Sequence, residues 1–469
     1  MRQAAEDRPM GAPAPVAQMM AHASPGTPLL LAGISPSAMV LDALGEHANG
    51  VGFAPDLTPP APTTMLRLET VHGDPVNAPH VFAACWHRPP YALTIQLVCY
   101  GPGSSVREIV DQATIGTKGD RAAVQSAIER ASMMLVADYL RGTSRGFSPP
   151  NGAEAVQGRT RTNGGRLRYA MARCNQKLRV EVWGIGSTNL PLADVVQTGS
   201  LGDITWHANP DRDAYLADPY PWPGTGLLLC EEMALVGGRG TIIACEETED
   251  GLRPVRTILA TDRHHSYPCT FVDQGITYLL PEATDRGATM LYRLAPDGTL
   301  SAFLPIGAGM RLADPTLFRH DGRYWIAATD LDIGWHDNLC LFHAETLAGP
   351  WQSHRLRPAK LDVRGARPAG PPFVVDGTLY RPGQDCAETY GAGITLWRVD
   401  VLTPDEFRET LVHTLRPDPN GPYPHGLHTL VSDGERIWVD GKRFVLDVPS
   451  LRQKLLTRMA RTRIPRGIR

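Results

Sequence analysis

The sequence has no C-x-x-C pair; its eight cysteines stand singly at 85, 99, 174, 230, 245, 269, 340 and 386. That spacing excludes zinc-ribbon and thioredoxin-like sites, and scattered thiols suit a reducing compartment. No apolar run approaches the roughly 18 residues of a membrane span, so none is expected. No excess of one charge exists either: 46 basic residues face 49 acidic ones, for a net charge of −3. A dedicated nucleic-acid binder would carry a basic domain, so nucleic acid is not an expected partner. The opening MRQAAEDRPMGAPAP holds acids and prolines where a secretory leader needs a basic start and an apolar run. The run from Leu29 to Gly33 is too short to serve, and the expected location is cytoplasmic.

Glycine and proline, by contrast, are abundant, at 46 and 41 of 469 residues. Both break helix interiors, so the composition points to a turn-rich, all-β architecture. An apolar share of 42% excludes wholesale disorder. Residues 1–64 are Ala/Pro/Gly-rich and are expected to form a disordered N-terminus. Residues 65–182 read as a small α/β segment. Leu93, Ile95 and Leu97 alternate with polar residues as a half-buried strand does. Val124, Ile128, Ala131 and Leu135 line one face of a helix over 120–141. A linker over 142–165 and a second helix over 166–181 complete the segment.

Five related phrases follow within 183–447. They are ADPYPWPGTGLLLCEEM from Ala217, SYPCTFVDQGITYLLPEAT from Ser266, ADPTLFRHDGRYWIAATDL from Ala313, AGPPFVVDGTLYRPGQDC from Ala369 and GLHTLVSDGERIWVDGKR from Gly426. Each has a polar start, an apolar strand, a turn and a second strand. Asp321-Gly322, Asp376-Gly377 and Asp433-Gly434 are hairpin signals between apolar runs. A spacing of about 50 residues suits propeller blades of four strands. A β-sandwich shares short Asp-Gly hairpins but not five phrases in register. The fold class is therefore read as all-β, a five-bladed β-propeller preceded by the α/β segment.

In a propeller the start of each first strand and the end of each second strand share one face. Starts here carry Asp218, Ser266, Asp314, Arg367 and His428; ends carry Glu231, Glu232, Glu282, Asp330, Gln384, Asp385 and Asp440. Acids from several blades are expected to meet at the mouth of a central channel, where neighbouring carboxylates can divide into acid and base. That is equipment for glycosidic bond chemistry. Blander readings stand beside this one. An Asp-Pro can simply turn the chain, and Asp440-Gly441 is itself a turn signal. Glu231 and Glu232 point to opposite faces. His264 and His265 do the same, one of them toward solvent, so no metal and no cofactor is expected. Arg381 and Gln384 can donate to hydroxyl or phosphate groups.

The ordered set Ala217-Asp218-Pro219, Glu231-Glu232, His265-Ser266-Tyr267-Pro268, Leu280-Pro281-Glu282, Ala313-Asp314-Pro315, Gly349-Pro350-Trp351, Ala366-Arg367-Pro368-Ala369-Gly370, Arg381-Pro382-Gly383-Gln384-Asp385, Tyr390-Gly391 and Gly426-Leu427-His428-Thr429 resembles the N-terminal domain of glucosamine inositolphosphorylceramide transferases. More loosely, it resembles the five-bladed propellers of glycoside hydrolase family 43. Residues 65–150, with His72-Gly73-Asp74 and Leu93–Leu97, faintly resemble part of a formyltransferase-like region, and no activity is assigned to them.

The hydrolase resemblance implies a base, a tuning Asp and an acid Glu at the first three blade starts. Here those positions hold Asp218, then Ser266 or Tyr267, then Asp314, so the middle carboxylate is missing and the acid is shortened. Glu282 is the substitute acid. The implied site has Asp218, Glu282 and Asp314 as catalytic residues. Glu232, His265, Arg367, Arg381, Gln384, Asp385 and His428 are its substrate-binding residues. The implied function is to act on or hold a glycan or sugar–lipid in cell-surface polysaccharide or glycolipid metabolism. Enzyme and binding module both stay open. The plant members place transfer in a separate glycosyltransferase domain, so such an enzyme is the expected partner.

Residues 448–469 form a basic tail in which Leu451, Leu455, Leu456 and Met459 share a helical face. Weak peripheral contact with anionic lipid is one reading and a solvated tail the other. Co-sedimentation of the full chain with anionic liposomes, against a chain ending at Val448, separates them: lipid contact predicts a loss on truncation, a solvated tail equal and negligible binding.

Overall fold

A computed structural model describes residues 179–446 with a few short breaks, most of 65–140, Arg145, and strands β1 (Leu29–Ala32) and β2 (Val51–Ala54). The linker over 142–165, apart from Arg145, lies outside the described residues. So do His72, most of the expected second helix and the basic tail. That helix was expected to run to 181, but Val180 and Glu181 belong to a strand.

The α/β segment carries β3 (Met65–Thr70), β4 (Ala92–Tyr100), β5 (Arg107–Gly116) and helix α1 (Arg121–Leu140). Its sheet runs β2-β1-β3-β4-β5. The first two strands fall within the stretch expected to be disordered. Two short apolar runs, LLLA and VGFA, pair parallel with one another, and the first also pairs with β3. On α1, Val124, Ile128, Ala131 and Leu135 are buried, as their spacing predicts.

Beyond α1 come β6 (Val180–Thr188), the short helix α2 (Leu192–Thr198) and β7 (Thr205–Trp206). Four sheets then follow in chain order. The first holds β8 (Ala214–Trp222), β9 (Leu227–Ala234), β10 (Thr241–Thr248) and β11 (Gly251–Leu259). The second holds β12 (His265–Asp273), β13 (Ile276–Ala283), β14 (Met290–Leu294) and β15 (Leu300–Pro305). The third holds β16 (Leu312–His320), β17 (Arg323–Asp330), β18 (Asn338–Ala344) and β19 (Gln352–Ser353), with β20 (Lys360–Leu361) also on β18. The fourth holds β21 (Phe373–Val375), β22 (Thr378–Asp385), β23 (Gly393–Leu402) and β24 (Phe407–Leu415). The fifth joins β25 (Gly426–Ser432) and β26 (Ile437–Val445) to β6 and β7, so both ends of the repeat region share one sheet. The fold class is the five-bladed β-propeller.

The chain divides into two compact units. One takes in 159–306 and 415–469 and holds the first, second and fifth sheets; the other takes in 8–158 and 307–414 and holds the α/β segment with the third and fourth.

Hairpin turns behave as their sequences require. Gln274-Gly275, Asp321-Gly322 and Asp376-Gly377 each place two successive residues at positive φ, between 46° and 77°. This turn geometry matches strand twist. A second departure recurs at the strand starts. Asp218, Tyr267 and Asp314 have φ of 52°, 49° and 48°, each just before a proline. Each lies where the register with the second strand slips, between Ala217 and Tyr220, Ser266 and Cys269, and Ala313 and Thr316. The fifth sheet slips likewise between Leu427 and Leu430. These are β-bulges, which re-aim side chains and leave backbone groups without ladder partners. The repeat thus makes Tyr267, not Ser266, the counterpart of Asp218 and Asp314.

Asp440-Gly441, a turn signal in the sequence, instead lies within β26. Gly441 is needed for close approach: a Cβ there would stand 2.3 Å from the Trp206 ring and 2.6 Å from Tyr423 Cβ. Gly441→Ala is expected to cost about 1–3 kcal/mol through overpacking, read as an earlier midpoint in urea unfolding.

Candidate functional site

Two buried polar clusters form at the strand starts, one in each unit. In the first, His428 lies between two carboxylates. Its Nδ1 is 2.6 Å from Asp440 Oδ1 and its Nε2 is 3.2 Å from Asp218 Oδ1. The Thr429 hydroxyl donates to the same Asp218 oxygen at 3.2 Å. Bulged backbone groups complete the cluster. The Tyr267 N–H donates to Asp218 Oδ2 at 2.9 Å, and the Asp218 N–H donates to Asp440 Oδ2 at 2.9 Å. The N–H groups of His428 and Thr429 reach Asp440 Oδ1 at 3.2 and 2.9 Å. Trp183 stacks on the His428 ring with centroids 3.9 Å apart. Exposures of 2% for Asp218, 1% for His428 and 0% for Asp440 place the cluster out of water.

Burial alone would lower the His428 pKa, but Asp440 and then Asp218 overturn that and raise it to about 10. With both ring nitrogens facing carboxylate oxygens, the ring fits as an imidazolium donating twice. The three residues also offer ligand atoms within 4.8 Å of one another, close enough to hold a metal ion. A metal would require the imidazolium to give up a proton that two carboxylates favour.

The second cluster centres on Asp314. Arg367 Nε pairs with Asp314 Oδ2, and Gln384 Nε2 donates to the same oxygen at 2.7 Å. Gln384 also donates to the Pro368 carbonyl at 2.8 Å. Arg367 Nη1 donates to the Trp335 carbonyl at 3.0 Å and lies 3.3 Å from His336 Nδ1. The guanidinium stands over the Tyr390 ring, 4.8 Å from its centroid. Asp314, Arg367 and Gln384 are buried, whereas Trp335, His336 and Tyr390 are half-buried.

Glu282 is buried opposite Ser266, one residue from Tyr267. Glu231 faces Ala217 in the same register, so Glu231, and not half-buried Glu232, is the repeat counterpart of Glu282. His265 is buried, with Nε2 2.8 Å from the Thr261 hydroxyl, and burial lowers its pKa. Its neighbour His264 is not turned to solvent: Nδ1 accepts the Gly240 N–H at 2.8 Å and Nε2 lies 3.4 Å from Glu231. Arg381 is paired with Glu409, at 2.8 Å through Nε and 2.6 Å through Nη2, and it donates to the Gly365 carbonyl. Asp385 is buried and accepts the Ala387 N–H at 3.0 Å. The structure thus brings Asp218 together with His428, and Asp314 with Arg367 and Gln384.

A family description, "Glucosamine inositolphosphorylceramide transferase 1, N-terminal", matches residues 178–420. The chain belongs to this family. A relative from Arabidopsis thaliana named glucosamine inositolphosphorylceramide transferase 1 is 32% identical over 207 residues, covering 42% of this chain and 27% of the relative. The protein of the same name from Oryza sativa subsp. japonica is 31% identical over 211 residues, covering 42% of this chain and 28% of the relative. The chain therefore spans about a quarter of the length of these curated relatives. Among solved structures, an exo-β-1,3-galactanase from Clostridium thermocellum is similar at 14% identity and a TM-score of 0.35, over 45% of this chain and 53% of the galactanase. A family 117 glycoside hydrolase from Zobellia galactanivorans is similar at 12% identity and a TM-score of 0.37, over 58% and 92%. Such likeness is slight, and the fold assignment rests on the strand pairing.

The sequence reading named Asp440 as a strand-end acid and Thr429 within a motif but gave neither a site role, and it did not single out Trp183, Trp335 or His336. A signal existed for Asp440. It lies opposite the bulge, where the first, second and third sheets have Cys230, Pro281 and Ala328. A charge at a position otherwise filled by small or apolar residues marks a partner across the sheet.

The raised His428 pKa fixes the sign of a pH effect. Its stabilisation is fully present below about 6.5, the ordinary value, and is lost as pH rises through about 10. Wild type should therefore lose melting temperature across that window, and His428→Gln should be less stable at pH 6.5 but flatter from there to pH 10. Asp440→Asn breaks a buried ion pair and should cost about 3–5 kcal/mol, measured by urea unfolding at pH 6.5.

Proposed function

We propose that this domain recognises the sugar portion of a glycan or glycolipid, and that recognition centres on Arg367 with its aromatic surroundings. One observation carries the reading: the half-buried rings of Tyr390 and His336 lie against a guanidinium whose orientation is set by Asp314 and by the Trp335 backbone carbonyl. Aromatic faces with fixed polar groups suit the two chemistries of a sugar ring, apolar C–H faces and a hydroxyl rim. The pairing of Arg367 is made in advance, so little ordering remains on binding.

Hydrolysis is the less favoured reading. Asp218, the expected base, already accepts from a hydroxyl, a backbone N–H and an imidazolium. Taking a proton would require it to release those donors. The curated relatives are named for a transferase of glucosamine and inositolphosphorylceramide, which points to a sugar-bearing sphingolipid headgroup as ligand. On this reading the domain works in the cytoplasm beside a separate glycosyltransferase. Among the described residues no helix is long and apolar enough to cross a membrane.

The test is binding of the full chain to liposomes carrying a glycosylated inositolphosphorylceramide, against ceramide liposomes without the sugar. Sugar-dependent binding is expected. Tyr390→Ala should weaken it about 3- to 10-fold, the equivalent of an aromatic contact, and Asp218→Asn should leave it intact in the folded fraction. Absence of sugar-dependent binding, together with turnover of glycosides that Asp218→Asn abolishes, would overturn the reading in favour of an enzyme.

A further inference from the structure

The α/β segment was assigned no role from its sequence, yet its contacts converge on the surroundings of Arg367. Three structural features hold that side chain: the chain 362–367 that bears it, the loop 331–338 that supplies the Trp335 carbonyl and His336, and Tyr390 beside it. The α/β segment touches the first two and shares an apolar cluster with the third.

The chain 362–367 is joined to the edge of β5. Thr114 forms a parallel bridge with Asp362, and the Val363 N–H donates to the Thr114 carbonyl at 2.8 Å. Ala366 then turns back onto the Asp362 carbonyl at 2.8 Å, immediately before Arg367. Tyr390 packs against a small apolar cluster of Val363, Cys386 and Ala387 that also receives Ala92, the first residue of β4.

The loop 331–338 is held from α1. Arg130 Nη2 donates to Asp337 Oδ2 at 2.6 Å, and both residues are buried. Asp337 follows His336 directly. Within the loop, the Asn338 side chain donates to the Gly334 carbonyl at 2.7 Å and to the Asp330 carbonyl at 3.2 Å. Gly334 is packed against the ion pair: a Cβ there would meet Asp337 Oδ1 at 2.1 Å. A second tie runs through Arg145, which pairs with Asp111 of β5 and Asp138 of α1 and donates to the Pro358 carbonyl at 3.0 Å. The adjacent Arg357 reaches Asp330 at 2.9 Å, at the root of the loop.

We infer that the α/β segment is a built-in support of the Arg367 site, and that Arg130 is a positioning residue that fixes the loop 331–338 through Asp337. A buried pair is the physical device suited to this. Its geometry is directional, and loss of one partner leaves a charge out of water with no counter-ion, so the loop has one favourable place. The inference concerns how the site is held and stands whether or not a sugar is the ligand.

Hydrogen–deuterium exchange on the full chain tests it, comparing wild type with Arg130→Ala, Arg130→Lys and Glu129→Ala. Arg130→Ala is expected to speed exchange across 331–338 on the order of 100-fold, as loss of a buried ion pair implies. Arg130→Lys should restore most of the protection, and Glu129→Ala, next to Arg130 on α1, should match wild type. The strands β12 and β13 serve as the unaffected reference. Unchanged exchange over 331–338, or a uniform rise over the whole chain, would overturn the inference. Should Arg130→Ala fail to fold, Asp337→Asn replaces it with the same two readings. Binding to the sugar-bearing liposomes is measured in parallel. Faster loop exchange without any sugar binding in wild type would remove the recognition reading and leave this one standing.

Discussion

A bulge in a β-strand creates a backbone N–H with no ladder partner, and a buried N–H without a partner is costly. In the unit that holds the first, second and fifth sheets, this constraint is met by carboxylates from the neighbouring sheet. Asp440 of the fifth accepts the bulged N–H of Asp218 in the first, and Asp218 accepts the bulged N–H of Tyr267 in the second. Each carboxylate is then a latch between sheets as well as a charge at the site. The left-handed backbone at Asp218 and Tyr267 is what aims these groups. It costs about 1–3 kcal/mol per residue and persists only where surrounding contacts over-determine it. His428 completes the arrangement because two buried carboxylates so close need a cation between them.

The same constraint explains what could be read from the sequence and what could not. Turn chemistry is local, so Asp321-Gly322 and Asp376-Gly377 were legible as hairpins from two residues. The starts at Asp218 and Asp314 were legible as Asp-Pro words, which combine a bulge with a charge. Asp440-Gly441 misled because glycine serves two physical ends that look alike in one dimension. It permits positive φ in a turn, and it admits a ring against the backbone in a strand. Only the packing of Trp206 and Tyr423 distinguishes them. Arg381 misled for a related reason. Its word, Arg381-Pro382-Gly383-Gln384-Asp385, offered Arg381 as a donor to ligand. It is a strand, and the long partner that claims Arg381, Glu409, lies 28 residues away on β24.

That pairing belongs to a wider pattern in how this chain handles charge. Glu409 holds both Arg381 and Lys360, and burial, the largest effect on Lys360, brings its pKa down to about 8. Glu409 stays below the ordinary carboxylate range because Arg381 and Lys360 outweigh the opposing effect of burial. Arg145 between Asp111 and Asp138 repeats the device in the α/β segment. In both groups the buried ions neutralise one another, which is the condition under which a low-dielectric interior accepts them. Candidates chosen by residue type and position alone therefore divide by what else reaches them, and long-range partners are what a single sequence displays least.

Catalysis by paired carboxylates asks for the opposite arrangement. One group must be held protonated and another left with a free lone pair near the reacting bond, so that environments drive their pKa values apart. Asp218 and Asp314 are instead both fixed by strong donors, the first by an imidazolium and the second by a guanidinium. Such pairing occupies the carboxylate oxygens that proton transfer would need. It leaves rigid, oriented polar groups beside the half-buried rings of Tyr390 and His336 at Arg367. Rigid polar groups lower the entropy lost when a ligand docks, and aromatic faces supply area without many rotatable bonds. That arrangement supports the recognition proposed above, with the charge pairs serving orientation. The α/β segment extends the same logic, because a guanidinium oriented by a loop is only as fixed as the loop itself.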